Sequence, residues 1–75
     1  MKHFYNYVVH PNNNSFSFDE PLSTMLCSTV EQAYKWAERL MKFHPNAWSV
    51  SFKRENGRKV YFIQWEDNSL VRGKY

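Results

Sequence analysis

Apolar and polar side chains alternate with a period of two through residues 48–65, on either side of the pair Asn56-Gly57. Asn-Gly is the preferred pair for a two-residue type I′ turn, because both central positions need positive φ. A turn there sets Glu55 opposite Arg58, Arg54 opposite Lys59, Phe52 opposite Tyr61, Val50 opposite Ile63 and Trp48 opposite Trp65. One face of this hairpin is then apolar. The other carries Ser49 with Gln64, Ser51 with Phe62 and Lys53 with Val60, the mixed pattern of a sheet face that meets water or a partner.

The same period runs through residues 2–10, with His3, Tyr5, Tyr7 and Val9 on one side and Phe4, Asn6, Val8 and His10 on the other. Pro11-Asn12-Asn13-Asn14 is a dense turn signal, after which residues 15–19 alternate again with Phe16 and Phe18 together. A first hairpin is therefore expected, ended by Pro21. Residues 22–27 fit either a linker or a short extra strand.

The period then changes to that of a helix. Ser28-Thr29-Val30-Glu31 has the form of a capping box, which places the helix start at Ser28. Val30, Ala33, Tyr34, Ala37, Leu40, Met41 and His44 recur at spacings of three and four, with Trp36 and Phe43 at the edge of the stripe. Pro45 stops the helix after His44. On the opposite face Glu31 with Lys35, and Glu38 with Lys42, are i,i+4 pairs that read as a neutralised, solvated surface. Beyond the second hairpin, Asp67-Asn68-Ser69 is a further turn, and residues 70–75 form a basic tail that either adds an edge strand or frays.

The expected fold is α+β: a four-stranded antiparallel sheet in the order ββαββ, with one amphipathic helix on one face, as a single domain over residues 1–75. Trp48, Val50, Phe52, Tyr61, Ile63 and Trp65 are expected beneath the helix. The other face is left exposed, with Val60, Phe62 and apolar residues of the first strand on it.

Composition narrows the chemistry. With 43% hydrophobic and 19% aromatic residues in 75, stability is expected from rings packed between sheet and helix. The one cysteine, Cys27, forbids an internal disulfide and suits a reducing, cytoplasmic setting. The start Met1-Lys2-His3-Phe4 lacks the apolar run of a signal peptide, and no stretch approaches the ~20 apolar residues of a membrane span. A net charge of +3 favours anionic partners in general, without choosing among them.

No catalytic constellation is visible. Cys27 just before a helix start is placed for a lowered thiol pKa, yet it has no identifiable His or Asp partner. His3, His10 and His44 share no metal-ligand spacing, the acids Asp19, Glu20, Glu66 and Asp67 lie at strand ends, and only two glycines exist to form a phosphate loop. The chain is expected to be neither an enzyme nor a cofactor- or metal-binding protein.

The strongest functional signal is the run Lys53-Arg54-Glu55-Asn56-Gly57-Arg58-Lys59, four cations and one anion around a hairpin tip. Two functions fit it. The favoured one is a small protein-binding module, an inhibitor or adaptor of the kind found among phage and mobile-element accessory proteins that act on host complexes. It would use Ser51, Phe62 and Gln64 on the open face, with Lys53, Arg54 and Arg58 as a rim for an acidic protein surface. The same open face also suits a homodimer. The alternative is DNA or RNA binding, with Lys53, Arg54, Arg58 and Lys59 on phosphates and Phe62 stacking on bases.

Overall fold

A computed structural model describes residues 2–10 and 23–75. Their elements are β1 (His3–His10), β2 (Ser23–Cys27), α1 (Val30–Phe43), β3 (Ser49–Arg54), β4 (Val60–Glu66) and β5 (Ser69–Lys74). The strands form one antiparallel sheet in the order β2-β1-β3-β4-β5, and α1 packs on one face. The fold is α+β as the periodicity implies, but the sheet has five strands and not four. The strand expected at residues 15–19 lies outside the described residues.

Two segments account for the difference. Residues 23–27 pair along β1, with Phe4 opposite Leu26 and Tyr7 opposite Ser23. The tail is a full strand because Asp67 and Asn68 both take positive φ, 49° and 67°, between the paired residues Glu66 and Ser69. Two consecutive left-handed residues make the hairpin turn whose twist matches that of the strands it joins.

The β3–β4 register is the expected one: Phe52 faces Tyr61, Val50 faces Ile63 and Ser51 faces Phe62. The turn is not. Neither Asn56 nor Gly57 has positive φ, and the Gly57 N–H donates to the Arg54 carbonyl at 3.0 Å, closing a turn about Glu55 and Asn56. The ladder therefore ends at Lys53–Val60, and Arg54–Lys59 and Glu55–Arg58 are not paired rungs. The cause lies across the sheet. Arg54 pairs with Tyr5 of β1, and the Glu55 N–H donates to the Phe4 carbonyl, so the end of β3 is held to β1 while the chain arcs over to β4.

Helix α1 starts one residue later than the capping-box pattern indicated. Thr29 is the N-cap, its hydroxyl accepting from Gln32 N–H at 3.2 Å, while the Gln32 side chain accepts from Ser28 N–H at 2.7 Å. Ala33, Ala37, Leu40 and Met41 are buried beneath it, whereas Phe43 is 74% exposed.

Under the helix, Phe52 is fully buried among Tyr5, Tyr7, Tyr34 and Tyr61, its ring centroid 5.0 Å from those of Tyr7 and Tyr34 and 5.4 Å from that of Tyr61. Tyr7 Oη donates to the Ala33 carbonyl at 2.9 Å, and burial raises its pKa far above that of a free phenol. Val50 and Ile63 complete the floor. Trp65, expected there too, is half exposed, because its rung lies past the buried pair Val50–Ile63.

The acids of α1 do not stay with their own helix's lysines. Arg72 of β5 meets Glu31 at 2.6 Å and Glu38 at 2.9 Å, with its guanidinium carbon 4.9 Å from the Tyr34 ring centroid. The Tyr34 hydroxyl donates to the Gly73 carbonyl at 2.8 Å. Together these contacts fasten β5 to the helix.

Candidate functional site

The ladder register decides which side chains leave the helix side. Phe4, Asn6, Val8 and His10 of β1 share the opposite face with Lys53, Ser51 and Ser49 of β3, and with Val60, Phe62 and Gln64 of β4. Leu26 joins them opposite Phe4, and Val71 opposite Gln64. Among the described residues, the exposed large apolar side chains on this face are Phe4 at 49%, Leu26 at 45%, Val71 and Tyr75, while Phe43 and Trp65 are exposed elsewhere. Among the described residues no helix lies on this face, and it collects apolar surface from four of the five strands and from Tyr75, while His10, Ser49 and Ser51 within it are buried.

Cations gather at one end of the sheet. Arg54, Arg58 and Lys59 are exposed around the β3–β4 loop, Arg54 on the helix side of the register opposite Tyr5, and Lys53 is half-buried on the helix-free face opposite Asn6 and Val60. A depression of about 200 Å³ joins Arg54, Glu55 and Asn56 to Lys2, His3 and Phe4. On the other side of the loop a smaller one, about 130 Å³, lies among Arg54, Gly57, Arg58, Lys59 and Tyr61. The exposed ring of Phe4 therefore stands directly beside the cationic loop, a neighbour that local sequence patterns did not single out.

Ser51, Phe62 and Gln64 occupy the middle of the face. Ser51 is fully buried, its Oγ 2.7 Å from Nε2 of the buried His10, so its hydroxyl is not open to a partner. Burial holds the His10 pKa below the usual histidine range. Serine and histidine in hydrogen-bond contact are the start of a nucleophilic constellation. Here both are closed to solvent, and the contact ties β1 to β3. Ser49, also fully buried, donates to the Ile63 carbonyl at 2.9 Å.

Phe62 is half-buried in a small aromatic stack. Its ring lies over Gly73, where a side chain would overlap it, and its centroid is 5.0 Å from that of Tyr75. The C-terminal residue is held in place by its N–H donating to the Val60 carbonyl at 2.7 Å. Gln64 stays half-exposed between Ser49 and Val71.

The structure thus brings Arg54, Arg58 and Lys59 together with Phe4 at one end, and Phe62 with Tyr75 in the middle. Leu26, Val71 and Tyr75 are additions to the sequence reading. A signal for Leu26 was available: Thr24 and Leu26 alternate with Met25 and Cys27 as a strand requires. Cys27 itself is buried, with Sγ 4.0 Å from Tyr7 Oη. Among the described residues no helix is long and apolar enough to cross a membrane.

In comparisons with known proteins, no family model matches this chain, and no curated protein or solved structure does either.

Proposed function

We propose that this chain is a small, non-enzymatic protein-binding module that recognises an acidic surface of another protein through the helix-free face of its sheet. The observation that carries this reading is the exposed apolar surface at both edges of that face, Phe4 with Leu26 at one and Val71 with Tyr75 at the other, with Phe4 next to the cationic loop of Arg54, Arg58 and Lys59. An apolar centre with a charged rim is the make-up of a specific interface: the centre supplies affinity on desolvation, and the rim supplies on-rate and selection for opposite charge. Within this reading Phe4 and Leu26 are anchors, Phe62 and Gln64 shape the centre, and Lys53, Arg54 and Arg58 form the rim. Action as an inhibitor or adaptor on a host complex is the role such a surface suits.

The competing reading is nucleic-acid binding by the same cations. Phe62, the ring that would stack on a base, is already packed between Gly73 and Tyr75, which favours the protein reading. Titration with single- and double-stranded oligonucleotides at two salt concentrations separates the two. The protein reading expects only non-specific affinity, with Kd about 10⁻⁴–10⁻⁶ M at physiological salt. Submicromolar binding with a steep salt slope that flattens in the Arg54→Glu/Arg58→Glu variant would establish nucleic acid as the partner instead.

A further inference from the structure

The two flanks of α1 carry opposite charge. Glu31 and Glu38 lean toward β5, where Arg72 holds both. Lys35, Arg39 and Lys42 are left on the flank toward β2, beside Trp36 and Phe43. There they border a depression of about 250 Å³ floored by Met25 and Trp36, with Leu26 at its edge, which continues past Arg39 into a wider one of about 490 Å³ bounded by Trp36, Arg39, Lys42 and Phe43. Trp36 and Arg39 line both parts, so the two form one groove. Among the described residues, every charged side chain lining it is a cation.

We propose that this groove is a second docking site, for an extended acidic peptide segment carrying a large apolar side chain. Three features select that occupant. The cationic rim, with no carboxylate lining it among the described residues, calls for Asp or Glu. The floor of Met25 against the Trp36 indole is a slot for an apolar side chain, and Trp36 Nε1 is buried without an acceptor among the described residues. The wall opposite the helix is β2, which among the described residues is an edge strand paired to β1 alone. An edge strand offers a row of backbone donors and acceptors to an added strand.

The dimensions agree. From Gln32 to Phe43 the helix rises about 16 Å, at about 1.5 Å per residue. That is the length of about five extended residues, the length of β2 itself. Lys35 and Arg39 stand about 6 Å apart along the axis, close to the spacing of alternate residues on a strand. A segment with acidic residues at alternate positions therefore meets the cations in register, and an apolar residue at a further position of that same face reaches the slot. This site stands apart from the cationic loop, so it holds or fails independently of the function proposed above.

The test is a fluorescence-anisotropy titration of the full chain with a short labelled peptide whose alternate positions read Leu, Glu, Glu, with Thr between them. The same peptide with Gln for Glu, and labelled oligo(dT), serve as competing probes. The expected result is binding that weakens at least about tenfold with the Gln peptide and in the Lys35→Glu/Arg39→Glu variant, and is unchanged in Arg54→Glu/Arg58→Glu. Equal affinity of the Lys35→Glu/Arg39→Glu variant, loss in the loop variant instead, or preference for oligo(dT) would each overturn the proposal. Because a charge-reversed helix can lose stability, the unaltered protein supplies a second reading. Peptide addition is expected to shift the β2 backbone amides and the Trp36 indole N–H in heteronuclear NMR spectra. Shifts confined to other elements would overturn it.

Discussion

Arg72 Nη2 stands 2.9 Å from Glu38 Oε1, so an acid spaced to pair with Lys42 on its own helix is held by a strand on the far side of the sheet order from β2. The same guanidinium takes Glu31, whose carboxyl it holds below the usual range chiefly through their hydrogen bond. Replacing Arg72 with Met keeps an aliphatic side chain over Tyr34 and removes the charge. We expect this variant to melt lower than the parent at low salt and to approach it as salt is raised, because exposed ion pairs are screened. A deficit independent of salt, by calorimetry, would mean that packing on Tyr34 is the larger contribution.

His10 gives the fold a pH dependence. Its folded pKa lies below the unfolded value of about 6.5 because burial disfavours the cation. As pH falls below about 6.5 the unfolded chain takes up a proton that the folded chain resists, so stability drops, at no more than about 1.4 kcal/mol per pH unit, until the folded pKa is passed. Above that window the contribution is fully present. Urea unfolding at pH 7.5 and 5.5 is expected to show this loss, and the loss is expected to shrink in His10→Asn.

Gly73 and Phe62 are predicted to behave as one unit. A methyl group at position 73 meets the Phe62 ring, so Gly73→Ala is expected to cost about 1–3 kcal/mol by overpacking. Truncating the ring relieves the clash, so in a double-mutant cycle the cost of Gly73→Ala should be smaller in the Phe62→Ala background. Additive effects would show that the strand tolerates the methyl group by shifting.

At the β4–β5 turn, Asn68 sits at φ 67°, a region that glycine enters freely and alanine does not. Asn68→Ala is expected to lose about 1 kcal/mol, and Asn68→Gly to match or exceed the parent. Chemical denaturation of the three proteins measures both.

Much of this fold was legible in the chain, for a reason the core makes plain. Val50, Phe52, Tyr61 and Ile63 must all face the helix, and a one-residue slip would turn every one of them outward, so alternation, with the reversal placed at residues 56–57, fixed the β3–β4 register. It could not fix the turn. Asn56-Gly57 and Asp67-Asn68 are both good turn chemistry, and what separates them is the pairing of Arg54 and Glu55 with β1, about fifty residues away in sequence. The same limit applies to the site. Local spacing pairs Glu38 with Lys42, and only the long-range fold brings Arg72 to Glu38 and Glu31. Arg54 and Arg58 were readable as a cationic loop, but Phe4 beside them and Tyr75 against Phe62 are tertiary neighbours. Ser51 looked available because serine is a usual surface residue, and it is buried because His10 sits against it.

The account turns on the helix-free face being a protein interface. Its most direct test is to purify the tagged full chain from its native cells, with and without nuclease, beside the Phe4→Ser and Arg54→Glu/Arg58→Glu variants. The expected result is a defined protein, recovered in stoichiometric amount after nuclease treatment with the parent chain and lost with both variants. Recovery of nucleic acid alone, or of proteins that disappear with nuclease, would contradict the account and assign the cationic loop to nucleic-acid binding.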